Sequence, residues 1–173
     1  MLLEGLQLPL TTPFYPDGRL NLRKLEHNVA AYSKTPVAGL AVLSQHGEAS
    51  MLSDEETLQV LQTAIEAATA EKVMLAGASR HSVLGTLAVA DHAAKLGYDA
   101  VLAGQPSFLK LRNRAHGTKE LLTYFHAIAD RSAIPVVLSS DAVQGGPLPA
   151  EVVIELAGHP RIIGLIDGES TSD

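Results

Sequence analysis

Cysteine is missing altogether from these 173 residues, which excludes disulfides and thiolate chemistry. Tryptophan is missing too, and aromatic residues make up only 4%, so the helices are built on alanine and leucine. Lys and Arg number 13 against 19 Asp and Glu, a formal charge of −6. Such a chain has no basic face with which to displace the counterions of a nucleic acid, and no nucleic-acid partner is expected. No apolar stretch approaches the roughly 20 residues that cross a bilayer. The start, Met1-Leu2-Leu3-Glu4-Gly5, has no basic n-region. The expectation is a cytoplasmic chain with no membrane partner.

What is present is a repeated unit, an apolar run followed by an amphipathic stretch. The runs are Leu6-Gln7-Leu8-Pro9-Leu10, Val37–Leu43, Val73–Ala78, Ala100–Ala103, Ile134–Leu138 and Ile162–Ile166. Nearly continuous apolar strands alternating with helices imply a parallel sheet covered on its faces. The spacing predicts a first helix capped by Asn21, with Leu22, Leu25, Val29 and Tyr32 inward. A second opens on Ser53-Asp54-Glu55-Glu56, a capping box, with Leu58, Leu61, Ile65 and Ala68 inward. A third runs from about Ser82 to Leu96 and stops at Gly97. Thr118 caps a fourth with Leu121, Leu122, Phe125 and Ile128 inward, and Pro149 opens a fifth that Gly158 ends.

The fold class expected is α/β, an incomplete TIM (β/α)8-type barrel of six parallel strands with outer helices. A full barrel takes about 250 residues, against 173 here. Residues 1–173 are expected to form a single domain that stops after strand six. Its strand order is 1-2-3-4-5-6, and the apolar positions Leu8, Leu10, Ile163 and Leu165 lack a covering layer. Exposed edges and apolar patches favour a homo-oligomer or a complementary fragment as partner.

Nearly every run ends in small or polar residues: Thr11-Thr12, Ser44-Gln45-His46, Ser79-Arg80-His81, Gln105, Ser139-Ser140-Asp141 and Asp167. In parallel α/β folds chemistry sits at the carboxyl ends of strands. The glycines Gly145, Gly146 and Gly164 do not form a phosphate cradle, and no cofactor is expected.

At this point Leu10-Thr11-Thr12-Pro13-Phe14 with Asp17-Gly18, Gly39–Glu48, Leu52–Glu56, Leu75-Ala76-Gly77, Ala94–Asp99, Tyr124–Ala129, Ile134–Leu138 and His159–Gly164 carry a resemblance. Together they resemble the first six βα units of the dihydrodipicolinate synthase / N-acetylneuraminate lyase family. That resemblance implies class I aldolase (lyase) chemistry on a small 2-oxo acid. A strand-six lysine would form a Schiff base with pyruvate. A tyrosine ending strand five would relay protons with a hydroxyl pair after strand two, and an arginine would hold a carboxylate.

Residue by residue, the roles do not transfer. The lysine position is Ile166, the tyrosine position Ser139, the hydroxyl pair Gln45-His46, the arginine position Gln144, and a tyrosine contributed across subunits aligns with Phe108. Only Thr11, Thr12, Gly47 and Glu48 keep the pattern. These four and Gln144 are the candidate substrate-binding residues of a chain expected to lack Schiff-base activity. Of the other lysines, only Lys110 and Lys119 belong to the long segment on the site face, where the plain reading is a solvated loop.

Two alternatives stand beside this reading. His46, Glu48, His81 and Asp141 could serve metal-assisted or acid–base chemistry, with His46, His81 and Asp141 as ligands. No motif spacing supports that set. Its plain readings are a hydrogen-bonded His46, a Glu48 that caps the following turn, and an Arg80-His81 pair that caps the third helix. The other alternative is a non-catalytic module completed by another chain.

Overall fold

The computed structural model describes residues 2–107, 117–140 and 146–168. Strands and helices alternate as β1 (Gln7–Pro9), α1 (Leu22–Ser33), β2 (Gly39–Val42), α2 (Asp54–Ala67), β3 (Val73–Gly77), α3 (Val83–Leu96), β4 (Ala100–Gly104), α4 (Gly117–Ala129), β5 (Val136–Ser140), α5 (Ala150–Leu156) and β6 (Ile162–Asp167). Strand order follows chain order, β1-β2-β3-β4-β5-β6, and β1–β2, β2–β3, β4–β5 and β5–β6 pair in parallel. β2 and β4 are buried along their whole length, as strands covered on both faces must be. This is the expected α/β architecture, an incomplete TIM-type fold. Among the described residues no helix is long and apolar enough to cross a membrane.

The chain divides into two compact units, one within Met1–Gly77 and His92–Ala100, the other within Ala78–Asp91 and Val101–Asp173. In the first, Asn21 caps α1 by accepting the Lys24 N–H at 3.0 Å. The inward positions are Leu25, Val29 and Ser33, whereas Tyr32 is exposed. Steps of four residues keep 25, 29 and 33 on one ridge, and position 32 falls about 100° off it. The Ser53–Glu56 capping box forms in both directions. Helix α2 then turns Thr57, Val60, Leu61 and Ala64 inward, leaving Leu58 37% exposed and Ile65 half-buried. Small Thr57 and Ala64 are fully buried on a helix that packs against α1 and β2. Close approach of backbones selects them over bulkier neighbours, a preference hydropathy alone does not register. Leu10, expected to lack cover, is buried, and its N–H bonds the Ala41 carbonyl at 2.9 Å. Lys72 ties the amino end of β3 by donating to the Thr35 and Val37 carbonyls at 2.9 and 2.8 Å.

Tyr98 is buried and donates its hydroxyl to the Leu61 carbonyl at 2.9 Å. Burial pushes its phenol well above the ordinary tyrosine value. The unfolded chain releases this proton near pH 10 while the folded chain keeps it. Stability is therefore intact below about pH 10 and falls as pH rises beyond it, by about 1.4 kcal/mol per pH unit for such a group. Alkaline denaturation of Tyr98→Phe should show a shallower fall than the parent; equal slopes would refute the assignment.

In the second unit, Thr118 lies inside the first turn of α4 rather than at its cap, with its hydroxyl 3.4 Å from Glu151 Oε1. Leu121, Tyr124, Phe125 and Ile128 face inward, and Leu122 is half-buried. Tyr124 displaces Leu122 because its ring packs edge-on against Phe125 and its hydroxyl has buried partners. Pro149 is the N-cap of α5, and Gly158 follows its end. Between β5 and β6 the pairing runs Val136↔Ile162 and then Val137↔Gly164, so Ile163 is skipped. As expected, Ile163 and Leu165 are exposed.

Candidate active site

In the first unit the site grows from the end of β1 and the turn after β2. Thr12 is buried and donates its hydroxyl to the Gly47 carbonyl at 2.6 Å. Gly47 eases a close approach there, since a Cβ would lie 3.2 Å from the Leu10 carbonyl oxygen. Gln45–Gly47 and Ala49–Met51 are two short 3-10 turns. Leu43 and Glu48, at φ 56° and 55°, bracket the first of them. They are the non-glycine residues with positive φ among the described residues, a costly conformation that tends to gather at functional sites.

Glu48 is exposed and makes no side-chain cap; instead its backbone carbonyl accepts the Met51 N–H at 2.8 Å. The expected capping carboxylate is thus a backbone contact. His46 and Thr11 are exposed. Gln45 Oε1 and Ser44 Oγ are enclosed without a hydrogen-bond partner, each at a cost of about 1–3 kcal/mol.

In the second unit the loop leaving β3 is fixed by a closed ring of hydrogen bonds. The Arg80 N–H donates to Thr86 Oγ1 at 3.2 Å, and the Tyr124 hydroxyl donates to the Arg80 carbonyl at 3.1 Å. With that proton committed, the 3.1 Å contact between the two hydroxyls has Thr86 as donor. Burial raises the Tyr124 phenol above its ordinary value, and the Thr86 hydroxyl partly offsets the rise. Ser79 Oγ accepts the Gly104 N–H at 2.8 Å, tying the end of β3 to β4. Ser82 serves the first turn of α3, accepting the Gly85 N–H at 3.0 Å. His81 is exposed. Gln105 is buried and donates to the Gly146 carbonyl at 2.7 Å.

Ser139 and Ile166 are direct register partners on β5 and β6, followed by Ser140 and Asp167. Ile166 is 38% exposed. Ser140 Oγ accepts the Leu148 N–H at 3.0 Å. Lys119 lies exposed in the first turn of α4. Phe108, Lys110, Asp141 and Gln144 lie outside the described residues. His46 and Glu48 belong to the first unit and His81 to the second. Among the described residues, no three His, Asp or Glu side chains form a metal-binding group.

The sequence profile of the Dihydrodipicolinate synthetase family matches residues 2–172. The chain belongs to this family. It is 33% identical over 171 residues, 98% of its length and 55% of the relative's, to the 4-hydroxy-tetrahydrodipicolinate synthase of Xanthomonas axonopodis pv. citri. It is 32% identical over 167 residues, 92% of its length and 52% of the relative's, to the L-threo-3-deoxy-hexylosonate aldolase of Hypocrea jecorina. Among solved structures it resembles the dihydrodipicolinate synthase of Acinetobacter baumannii complexed with pyruvate. There the TM-score is 0.85 and the identity 27%, covering 94% of this chain and 55% of that one. The chain spans about half the length of the curated relatives it matches. In this Dihydrodipicolinate synthetase family member, Ser139 and Ile166 stand side by side in the β5–β6 register.

The strained turn ends at Leu43 and Glu48 and the Arg80–Thr86–Tyr124 ring were not legible in the sequence. A buried leucine at positive φ has no compositional signal, and the ring joins residues 38 and 44 positions apart.

Proposed function

We propose that this member of the family binds a small 2-oxo acid at the carboxyl ends of its strands without forming a lysine imine. The pairing of Ser139 with Ile166 carries the reading. An imine needs a partly deprotonated amine within bonding distance of the carbonyl carbon, and isoleucine supplies neither nucleophile nor charge. Serine in place of a phenol removes the long-armed proton relay. Gln45-His46, Gln144 and Phe108 take the other family positions. Thr11, Thr12, Gly47 and Glu48 keep the family pattern, and pyruvate in the A. baumannii relative indicates the ligand class.

Borohydride reduction in the presence of pyruvate, read by intact mass, tests the claim. An unchanged mass is expected; a reduced pyruvyl adduct at Lys110 or Lys119 would restore the aldolase reading.

The apolar side chains on β6 are covered by association, with a second copy or a complementary chain. Ile163, Leu165 and Ile166 on the edge strand β6 are 38–41% exposed, and unpaired apolar edges recruit partners. Sedimentation should give a species heavier than the 18.2 kDa chain; a compact monomer at all concentrations would contradict it.

A further inference from the structure

We propose that the segment 44–51 is a two-state turn, and that the ligand of the preceding reading selects its relaxed form. In the form described, the turn is strained at both ends and seals two polar atoms without partners. In the relaxed form Ser44 and Gln45 reach solvent at the carboxyl end of β2, where a small carboxylic acid takes the bonds they lack. The inference rests on the 2-oxo acid reading, and every residue it uses belongs to the first unit.

Leu43 at φ 56° and Glu48 at φ 55° occupy the left-handed region, which penalises any residue with a Cβ and a bulky one most. Leu43 has no room to give way. It is buried, and its carbonyl lies so close to Gly77 that a Cβ there would come within 1.7 Å of the oxygen. Downstream, the Ser53–Glu56 capping box fixes the start of α2. Between these anchors Ser44 Oγ and Gln45 Oε1 are enclosed without hydrogen-bond partners, so each gains a bond on leaving its place. Local bonds hold the strained form together. The Thr12 hydroxyl ties the Gly47 carbonyl at 2.6 Å, the Gly47 N–H reaches the Ser44 carbonyl at 2.9 Å, and the Glu48 N–H reaches the Gln45 carbonyl at a longer 3.3 Å. Stored strain set against a few local bonds brings two forms close in energy, as in switch segments. A ligand shifts such an equilibrium only through contacts that differ between the forms. The Ser44 hydroxyl and the Gln45 amide are those contacts, sealed in one form and open in the other.

The chain has no tryptophan, so Met51→Trp, at a side chain 77% exposed, supplies a single fluorescent reporter at the end of the turn. Pyruvate should shift its emission in step with binding measured by calorimetry. Glu48→Gly relieves the left-handed penalty, whereas Glu48→Gln removes the charge and keeps the strain. Glu48→Gly should therefore melt above both the parent and Glu48→Gln, and bind pyruvate at least about fivefold more weakly than Glu48→Gln does. Gln45→Met removes the sealed acceptor at similar volume. It too should melt above the parent and bind pyruvate more weakly, since stability gained at the expense of affinity marks strain that binding releases. A Glu48→Gly midpoint no higher than that of Glu48→Gln would overturn the two-state turn and leave the 2-oxo acid reading standing. Pyruvate binding with unchanged emission would do the same. Absence of pyruvate binding by the parent would instead overturn the 2-oxo acid reading, and the ligand's selection of the turn with it.

Discussion

Gly77→Ala is expected to cost more than about 4 kcal/mol, an exceptional loss that here comes from collision with backbone. A Cβ at this position would lie 1.7 Å from the Leu43 carbonyl oxygen, 2.4 Å from its carbon and 3.2 Å from its Cβ. None of these atoms belongs to a flexible side-chain end. Leu43 is buried and already held at φ 56°, so relief would require moving the end of β2 and the Gln45–Gly47 turn with it. Gly97 is a control of the opposite kind. It has φ 92° but open space around its Cβ direction, so Gly97→Ala should lose only about 1–2 kcal/mol, the left-handed penalty. Denaturant melts of the two variants decide the matter. A Gly77→Ala midpoint close to that of Gly97→Ala would mean that Leu43 does not sit as described.

The second large effect is a gain. Ile166→Lys alone should form a borohydride-trappable pyruvate adduct slowly, because the amine arrives without its acid–base partner. Adding Ser139→Tyr places a phenol on the register partner of the new lysine. General acid–base groups contribute about 10²–10⁴-fold, so the double variant should trap pyruvate at least about a hundredfold faster than Ile166→Lys. The two changes are strongly non-additive, since Ser139→Tyr alone has no amine to serve. Turnover to an aldol product should stay low, since neither change supplies a cation for a second substrate's carboxylate. Equal trapping rates in the single and double variants would show that positions 139 and 166 do not act as a pair.

Strand order, fold class and the Asn21 and Ser53–Glu56 caps were legible because each is written in local chemistry. Apolar runs predict covered strands, and a serine three residues before a glutamate predicts reciprocal bonds. The inward faces of α2 and α4 were displaced because contact is decided by size and by buried partners. Thr57 and Ala64 win over Leu58 and Ile65 by permitting close approach, and Tyr124 wins over Leu122 through its hydroxyl. At the site, the identities at positions 139 and 166 were readable from motif alignment, but their adjacency is a property of register. The seating of Arg80 was not readable at all, since it depends on two hydroxyls brought from separate helices.

The skipped residue in the β5–β6 ladder has an evolutionary corollary. Pairing without that slip would set Leu165, not Ile166, beside Ser139, and Ile166 beside Ser140, by the present alignment of Val136 with Ile162. Side chains alternate between faces with a period of two. Gain of one codon near Ile163, with the single skip kept, would therefore exchange the whole set of groups at the carboxyl end of β6 in one event, whereas loss of the Ile163 codon would leave that set in place. For a strand like this, insertions explore new chemistry in larger steps than point mutation does.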